Sequence, residues 1–192
     1  MGWISETPDS EAQGQLRQIY DAVKAQRGKV ARILSVHSLD PPALSHHLDL
    51  YMHLMFSPGP LSRREREAIA VTVSAANGCA YCVAHHLEAL QRYEKDETVL
   101  TSIRDAPDQL AVPRLRAMLL YARRLTLAPS TMDEAQVTAL RAEGLDDAEI
   151  LRINLVTAYF NFVNRIALGL GVSPDANEVA GYRDADQGQV RS

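Results

Sequence analysis

The 192-residue chain contains few of the residues that mark specialised protein classes: it has two cysteines, one tryptophan, 10 glycines and 9 prolines. Two cysteines cannot form a framework of several disulfides, and so little glycine and proline excludes a fibrous or disordered chain. Apolar residues make up 46% of the sequence and charged residues 23%. This composition is typical of a single compact domain, which we expect to span residues 1–192.

Long apolar runs and an excess of positive charge are also lacking. The most apolar stretch, Ile153 to Val163, is interrupted by Asn154 and Asn161 and is shorter than the roughly 20 residues of a membrane span. No charged and then apolar leader opens the chain, and 20 basic against 24 acidic residues give a net charge of −4. These absences predict a cytoplasmic protein that binds neither membranes nor nucleic acid.

Helical spacing of apolar residues, interrupted by turn and capping residues, predicts an all-α fold. Asp40-Pro41-Pro42 is expected to break the chain, and the stretch that contains Pro107 and Pro113 is expected to be polar and irregular. Residues 171–192 are expected to form a polar loop with a frayed end. The predicted helices cover residues 10–27, 44–56, 62–76, 79–93, 115–127, 133–143 and 146–169, with a shorter apolar segment at 30–39.

One segment is ambiguous, because Ile69, Val71 and Val73 alternate with small or polar residues as they would in a strand. The residues before it favour a helix. Ser62 and Glu65 have the spacing of a capping box, in which each side chain binds the other residue's backbone N–H. Asn77-Gly78 is a turn signal, so a new helix is expected to follow at Cys79.

The same pattern returns later in the chain and predicts a degenerate internal repeat. Placing Leu61 on Leu145 aligns Ser62 with Asp146 and Asn77 with Asn161. We expect one helical unit at about residues 10–93, a related unit at about 113–172, and a polar tail at 173–192. Three residues of the first unit have apolar counterparts in the second: Glu67 aligns with Leu151, Cys79 with Val163 and Cys82 with Ile166.

Both cysteines lie in Cys79-Ala80-Tyr81-Cys82. On a helix they are about 60° apart with a rise of about 4.5 Å, which permits a disulfide. His86 falls on the same face, one turn after Cys82, whereas His85 lies on the other side and is expected at the surface. A thiolate could be promoted by the helix N-terminus at Cys79 and by His86 acting as a base, with Glu67 as its orienting partner.

The spacing alone leaves other interpretations open. A Cys-x-x-Cys pair also occurs as two small buried side chains or as half of a zinc site. A zinc site lacks an obvious second ligand pair, since His46, His47 and His53 are more simply placed on a solvated or interfacial helix face. Glu67 by default is a solvated helix charge, and the run of Arg and Glu from residue 63 to 67 is most simply an exposed helix start.

The segment from Leu61 to Leu90 resembles the active-site signature of the alkylhydroperoxidase AhpD and carboxymuconolactone decarboxylase superfamily. Its Glu, Cys, Cys and His correspond here to Glu67, Cys79, Cys82 and His86. The segment SAANGCAYCVAHH and the later segment NRIALGLGV are similar to sequences of the peroxidase-related branch. One position departs from AhpD proper, which has histidine immediately before the second cysteine where this chain has Tyr81, a residue able to donate a hydrogen bond instead.

The resemblance implies an AhpD-like helical bundle that assembles into trimers or hexamers and needs neither cofactor nor metal. It also implies reduction of hydroperoxides, with the disulfide regenerated by a thiol reductant such as a lipoyl group on an adaptor protein. In this hypothesis Glu67 orients His86, His86 takes the proton of Cys82, Cys82 attacks the peroxide, and Cys79 closes the disulfide. The cysteine roles could be reversed. The alternatives are a carboxymuconolactone-decarboxylase-like enzyme and a non-catalytic redox-sensing oligomer.

Overall fold

A computed structural model describes residues 2–174, 176–179 and 182, and within these residues the regular structure is entirely helical. The prediction of an all-α bundle is therefore confirmed. None of the helices in the described part of the chain is both long and apolar enough to cross a membrane. The helices are α1 (Gly14–Arg27), α2 (Arg32–Ser35), α3 (Pro41–Phe56), α4 (Arg63–Ala76), α5 (Ala80–Leu90), α6 (Glu97–Asp105), α7 (Pro113–Leu127), α8 (Glu134–Ala142), α9 (Asp147–Gly169) and α10 (Ala176–Val179).

Helix α4 is the central element of the bundle. Every residue from 66 to 74 on it is buried, and it packs against α5, α6, α7 and α9. This burial on all sides explains the misleading strand-like alternation of Ile69, Val71 and Val73, because a helix surrounded by other helices needs no polar face. The capping box that favours a helix there is present, with Ser62 and Glu65 bound to each other's backbone N–H.

The structure departs from the sequence predictions most clearly at α3, α6 and α10. Helix α3 begins at Pro41 rather than Leu44, because both prolines occupy its first turn, where a missing N–H costs nothing, and Asp40 caps it. The stretch expected to be irregular contains α6, which Asp96 caps and which buries Leu100 and Ile103. The polar loop expected after residue 171 contains the short helix α10, and the rest of that expectation falls mostly on residues outside the described part.

Helix α9 runs for 23 residues beside α4. Its capping box of Asp146 and Glu149 is present, as the sequence predicts. Polar side chains join the two helices at the end of α4: the amide nitrogen of Asn77 lies 3.0 Å from Oδ1 of Asn161 and 2.9 Å from Oδ1 of Asn164. The C-terminal end of α4 is thus fixed against the middle of α9, where the candidate site lies.

Candidate active site

The cysteine pair lies at the corner between α4 and α5. Gly78 makes the turn with a φ of +68°, a conformation that favours glycine, and Cys79 follows as the N-cap of α5. The Cys79 and Cys82 side chains form a disulfide with a Cα–Cα distance of 5.4 Å, and the Cys79 sulfur accepts a hydrogen bond from the Cys82 N–H at 3.4 Å. The cysteines thus stand at the positive end of a helix dipole, in the oxidised state of a dithiol.

Glu67 and His86 form a buried pair beside the cysteines. Nδ1 of His86 lies 2.7 Å from Oε2 of Glu67, whose side chain is completely buried. Because a carboxylate only accepts hydrogen bonds, Nδ1 of His86 is the donor, and Nε2 of the neutral ring is left as the basic nitrogen. The edge of the His86 ring packs against Phe160, with 4.5 Å between the ring centroids. Glu67 therefore fixes both the tautomer and the orientation of His86.

Arg63 completes this arrangement and was not singled out from the sequence. Its guanidinium donates to Oε1 of Glu67 from Nε at 2.9 Å and from Nη2 at 2.5 Å. Burial by itself would raise the pKa of the Glu67 carboxyl, but the charges and hydrogen bonds of His86 and Arg63 outweigh it and hold that pKa below its ordinary value. The spacing of four residues between Arg63 and Glu67 on one helix was the available signal.

The run of Arg and Glu from residue 63 to 67 is therefore not an exposed helix start, and Glu67 is not a solvated charge. Arg66 is 5% exposed and donates to the backbone carbonyls of Leu61, Met55 and Ser57. Both interpretations were wrong for the same reason. The end of α3 and the loop after it lie against the start of α4, and their backbone carbonyls accept hydrogen bonds from the side chains of Arg63 and Arg66.

A cavity of about 110 Å³ adjoins the pair, with walls formed by α1 to α5 and α9. Cys82, His86 and Glu67 line it, whereas Cys79 does not. Cys79 packs instead in an apolar cluster with Val36, Ala167 and Val172. Cys82, which belongs to the same cluster, is thus the cysteine that also borders space for a small substrate. Aromatic side chains form much of the remaining wall: Tyr51, Phe56, Tyr81, Tyr159, Phe160 and Tyr182.

Tyr81 and His85 form a second polar group next to the cysteines. The Tyr81 hydroxyl donates to Oε1 of Glu178 at 2.6 Å and accepts from the N–H of Ile33 at 3.2 Å. His85 donates from Nδ1 to the Tyr81 carbonyl at 2.9 Å, and its Nε2 lies 3.6 Å from Glu178. The expectation that His85 is a surface residue was wrong, because α10 covers it and leaves its side chain 13% exposed.

His47 also lies in the wall of the cavity, which corrects its placement on a solvated or interfacial face. It is 6% exposed, its Nε2 lies 2.8 Å from the hydroxyl of Tyr159, and its Nδ1 lies 3.2 Å from Nε2 of His37. His46 and His53, on the same helix, are exposed. Tyr159 is 112 positions away from His47 in the sequence, so no local pattern could have indicated the contact.

The fold and this site define a protein that is helical throughout its described residues and carries a disulfide-bonded cysteine pair at a helix start. The sequence profile of the carboxymuconolactone decarboxylase family matches residues 42–124. A peroxidase-related protein of Ralstonia eutropha JMP134, described as an alkylhydroperoxidase AhpD core, is 30% identical, covers 93% of this chain and 94% of its own, and superposes with a TM-score of 0.82. The chain belongs to the AhpD-like and carboxymuconolactone decarboxylase superfamily.

Two further structures are similar. A peroxidase-related protein of Silicibacter sp. TM1040 is 28% identical, covers 93% of this chain and 91% of its own, and has a TM-score of 0.78. The debrominase Bmp8 is 17% identical, covers 91% of this chain and 96% of its own, and has a TM-score of 0.75, which shows a shared fold. YdfG of Bacillus subtilis is 23% identical over 139 residues, 72% of this chain and 93% of that protein.

Proposed function

We propose that the protein is a thiol-dependent peroxidase that reduces hydroperoxides through a dithiol–disulfide cycle at Cys82 and Cys79. The observation that carries this proposal is the position of Cys82 in the cavity wall, one turn before a histidine that a buried carboxylate orients. Members of the family are generally enzymes, and its peroxidase-related members support a role of this kind. The shared signature residues Glu67, Cys79, Cys82 and His86 lie together at one corner of the fold.

The cycle starts from the reduced protein. Nε2 of His86 takes the thiol proton of Cys82, and the partial positive charge at the start of α5 stabilises the thiolate. The sulfur forms a bond to the terminal peroxide oxygen, the O–O bond breaks, and the leaving alkoxide takes a proton to become an alcohol. Cys82 is now a sulfenic acid. The Cys79 thiol attacks it, water leaves, and the disulfide forms.

A dithiol closes the cycle by thiol–disulfide exchange, in which it becomes a disulfide and returns two electrons and two protons to the cysteines. We propose a dihydrolipoyl group on an adaptor protein as that dithiol. We also propose that the protein works as a homo-oligomer, a trimer or hexamer. Leu151, Leu155 and Phe162 lie on one face of α9, and they are 58%, 40% and 49% exposed, which suits contact with a second copy.

The test begins with the reduced protein and one equivalent of cumene hydroperoxide. We expect loss of both thiols per chain, followed by continuous peroxide consumption when dihydrolipoamide is supplied. Cys79→Ser should form a sulfenic acid that dimedone traps, whereas Cys82→Ser should not react. Loss of thiols without turnover would favour the redox sensor, and no loss would leave the decarboxylase-like enzyme. A reactive Cys82→Ser with an inert Cys79→Ser would reverse the two roles.

A further inference from the structure

A chain of three hydrogen bonds leads away from the cavity. The hydroxyl of Tyr159 lies 2.8 Å from Nε2 of His47, and Nδ1 of His47 lies 3.2 Å from Nε2 of His37. Nδ1 of His37 lies 2.8 Å from the carbonyl oxygen of Ile33. Tyr159 and His47 line the cavity, while His37 is only partly buried. The chain thus joins the cavity to the partly buried segment between α2 and α3.

The carbonyl of Ile33 sets the direction of these hydrogen bonds. A carbonyl oxygen only accepts, so Nδ1 of His37 carries the hydrogen, and Nε2 of its neutral ring is an acceptor. His47 must then donate from Nδ1 and accept at Nε2, and the hydrogen that it accepts is the hydroxyl hydrogen of Tyr159. In this state Tyr159 presents only oxygen lone pairs to the cavity.

One additional proton reverses every bond of the chain except the last. When both nitrogens of His37 donate, His47 accepts at Nδ1 and donates from Nε2 to the Tyr159 oxygen. The Tyr159 hydroxyl is then free to donate into the cavity. Burial and then the neighbouring His37 lower the pKa of His47 to about 4, and burial also lowers the pKa of His37. Near neutral pH the two imidazoles therefore hold the extra proton only transiently and pass it readily to a stronger base such as an alkoxide.

Peroxide reduction needs an acid at a defined place. In a displacement at oxygen, the attacking sulfur and the leaving oxygen lie on opposite sides of the attacked oxygen, so the alkoxide departs on the side away from Cys82. His86 stands on the same helix as Cys82, one turn further on. Tyr159 belongs to α9, a different wall of the same cavity.

We propose that Tyr159 is the acid that protonates the leaving alkoxide, and that His47 and His37 supply its proton. This inference rests on the proposed peroxidase function. As the Cys82 thiolate forms its bond to the terminal oxygen and the O–O bond breaks, the other oxygen takes the hydroxyl proton of Tyr159. Tyr159 takes the Nε2 proton of His47, and Nδ1 of His47 takes the Nε2 proton of His37. Tyr159 is thus catalytic, and the histidines act through it.

Two oxidants with different leaving groups test this role in single-turnover oxidation of the reduced protein. tert-Butyl hydroperoxide releases an alkoxide, which needs a proton, whereas peracetic acid releases acetate, which does not. We expect Tyr159→Phe to slow the first reaction by about a hundredfold or more and to leave the second nearly unchanged. Tyr121→Phe is the matched control, because it also removes a buried, hydrogen-bonded hydroxyl, 2.8 Å from Asn154, but outside the cavity wall.

Equal slowing of both oxidants in Tyr159→Phe would indicate a structural role and overturn the inference, as would no slowing of either. If the wild-type protein reacted with neither oxidant, the proposed function itself would fail. That result is distinguishable from the two outcomes for Tyr159→Phe, because it is seen in the unmodified protein. His37→Gln acts at the far end of the chain and provides a second test if Tyr159→Phe does not fold. It must show the same selective loss with tert-butyl hydroperoxide, although a smaller one, for the inference to stand.

Discussion

Two stretches of this chain begin alike and end differently. Helix α4 and helix α9 both start with a capping box, at Ser62 and at Asp146. Helix α4 stops at Ala76, and α5 begins three residues after Asn77, whereas α9 continues without a break to Gly169. Asn77 at the end of the first stretch is hydrogen-bonded to Asn161, its counterpart in the proposed repeat. The repeat itself stays a prediction.

The difference shows how the cysteine pair obtains its surroundings. The break at Gly78 creates a new helix N-terminus inside the fold, with Cys79 as its cap, and such a terminus favours negative charge on sulfur. Val163, which aligns with Cys79, lies in the middle of α9, where the backbone N–H groups are already bonded. The acid differs as well: Glu67 is completely buried, and Leu151, which aligns with it, is 58% exposed.

The largest effect on stability is expected when Glu67 is replaced by leucine, the residue at the aligned position 151. Glu67→Leu leaves the guanidinium of Arg63, whose side chain is 14% exposed, without its carboxylate and frees His86. Breaking a buried pair in this way costs about 3–5 kcal/mol of unfolding free energy, measurable by urea denaturation at pH 7. Asp147→Leu at the start of α9 removes an exposed pair with Arg141 and should stay within about 0.5 kcal/mol. Equal losses would contradict the comparison.

The second prediction concerns the loss of stability at low pH. The pKa of Glu67 is lower in the folded protein than its ordinary value of 4.5. The unfolded chain therefore binds a proton in a range where the folded protein does not, and stability from Glu67 is present above pH 4.5 and lost as the pH falls through the folded pKa. Glu67→Gln should remove this part of the slope of unfolding free energy against pH. A wild-type slope retained in the variant would show that other groups cause it.

The smallest effect on stability is expected from substitution at the Gly78 turn. Gly78 and Gly144 both have positive φ, at +68° and +80°, and an added Cβ would meet nothing within 4 Å at either position. Alanine at each position should thus cost a similar, modest amount, about 1–2 kcal/mol. Only Gly78→Ala should slow alkylation of the reduced cysteines at pH 7, by about two- to fivefold if the helix dipole loses 0.3–1 kcal/mol of its effect on the thiolate. A similar slowing in Gly144→Ala would refute a local role for the turn.

Sequence reasoning succeeds in this protein where the determinants are local. The helical fold follows from apolar spacing, and the two capping boxes follow from residues three positions apart. The family follows from the fixed spacing of Glu67, Cys79, Cys82 and His86. These positions lie on adjacent elements joined by one tight turn, so helical geometry alone brings their faces together.

Sequence reasoning fails where contacts join elements that are distant in the chain. The Tyr159–His47–His37 chain combines α9 with α3 and the residues that follow α2, and nothing near His47 distinguishes it from the exposed His46. His85 was misplaced because the residue that approaches it, Glu178, comes from a segment with a loop-like composition. Helix α6 was missed because its only fully buried apolar residues are Leu100 and Ile103, too few to give a clear periodic signal.

The turn at Gly78 has a consequence for protein design. Replacing Val163 and Ile166 by cysteine would copy the side chains of the cysteine pair into α9, but the result would be two thiols within an uninterrupted helix. The transplant would also need a break in the chain before residue 163 and a carboxylate brought into the core beside a new histidine. A transferable site would thus consist of a helix start together with a buried acid beside it. The two cysteines are the part of that site that substitution alone can supply.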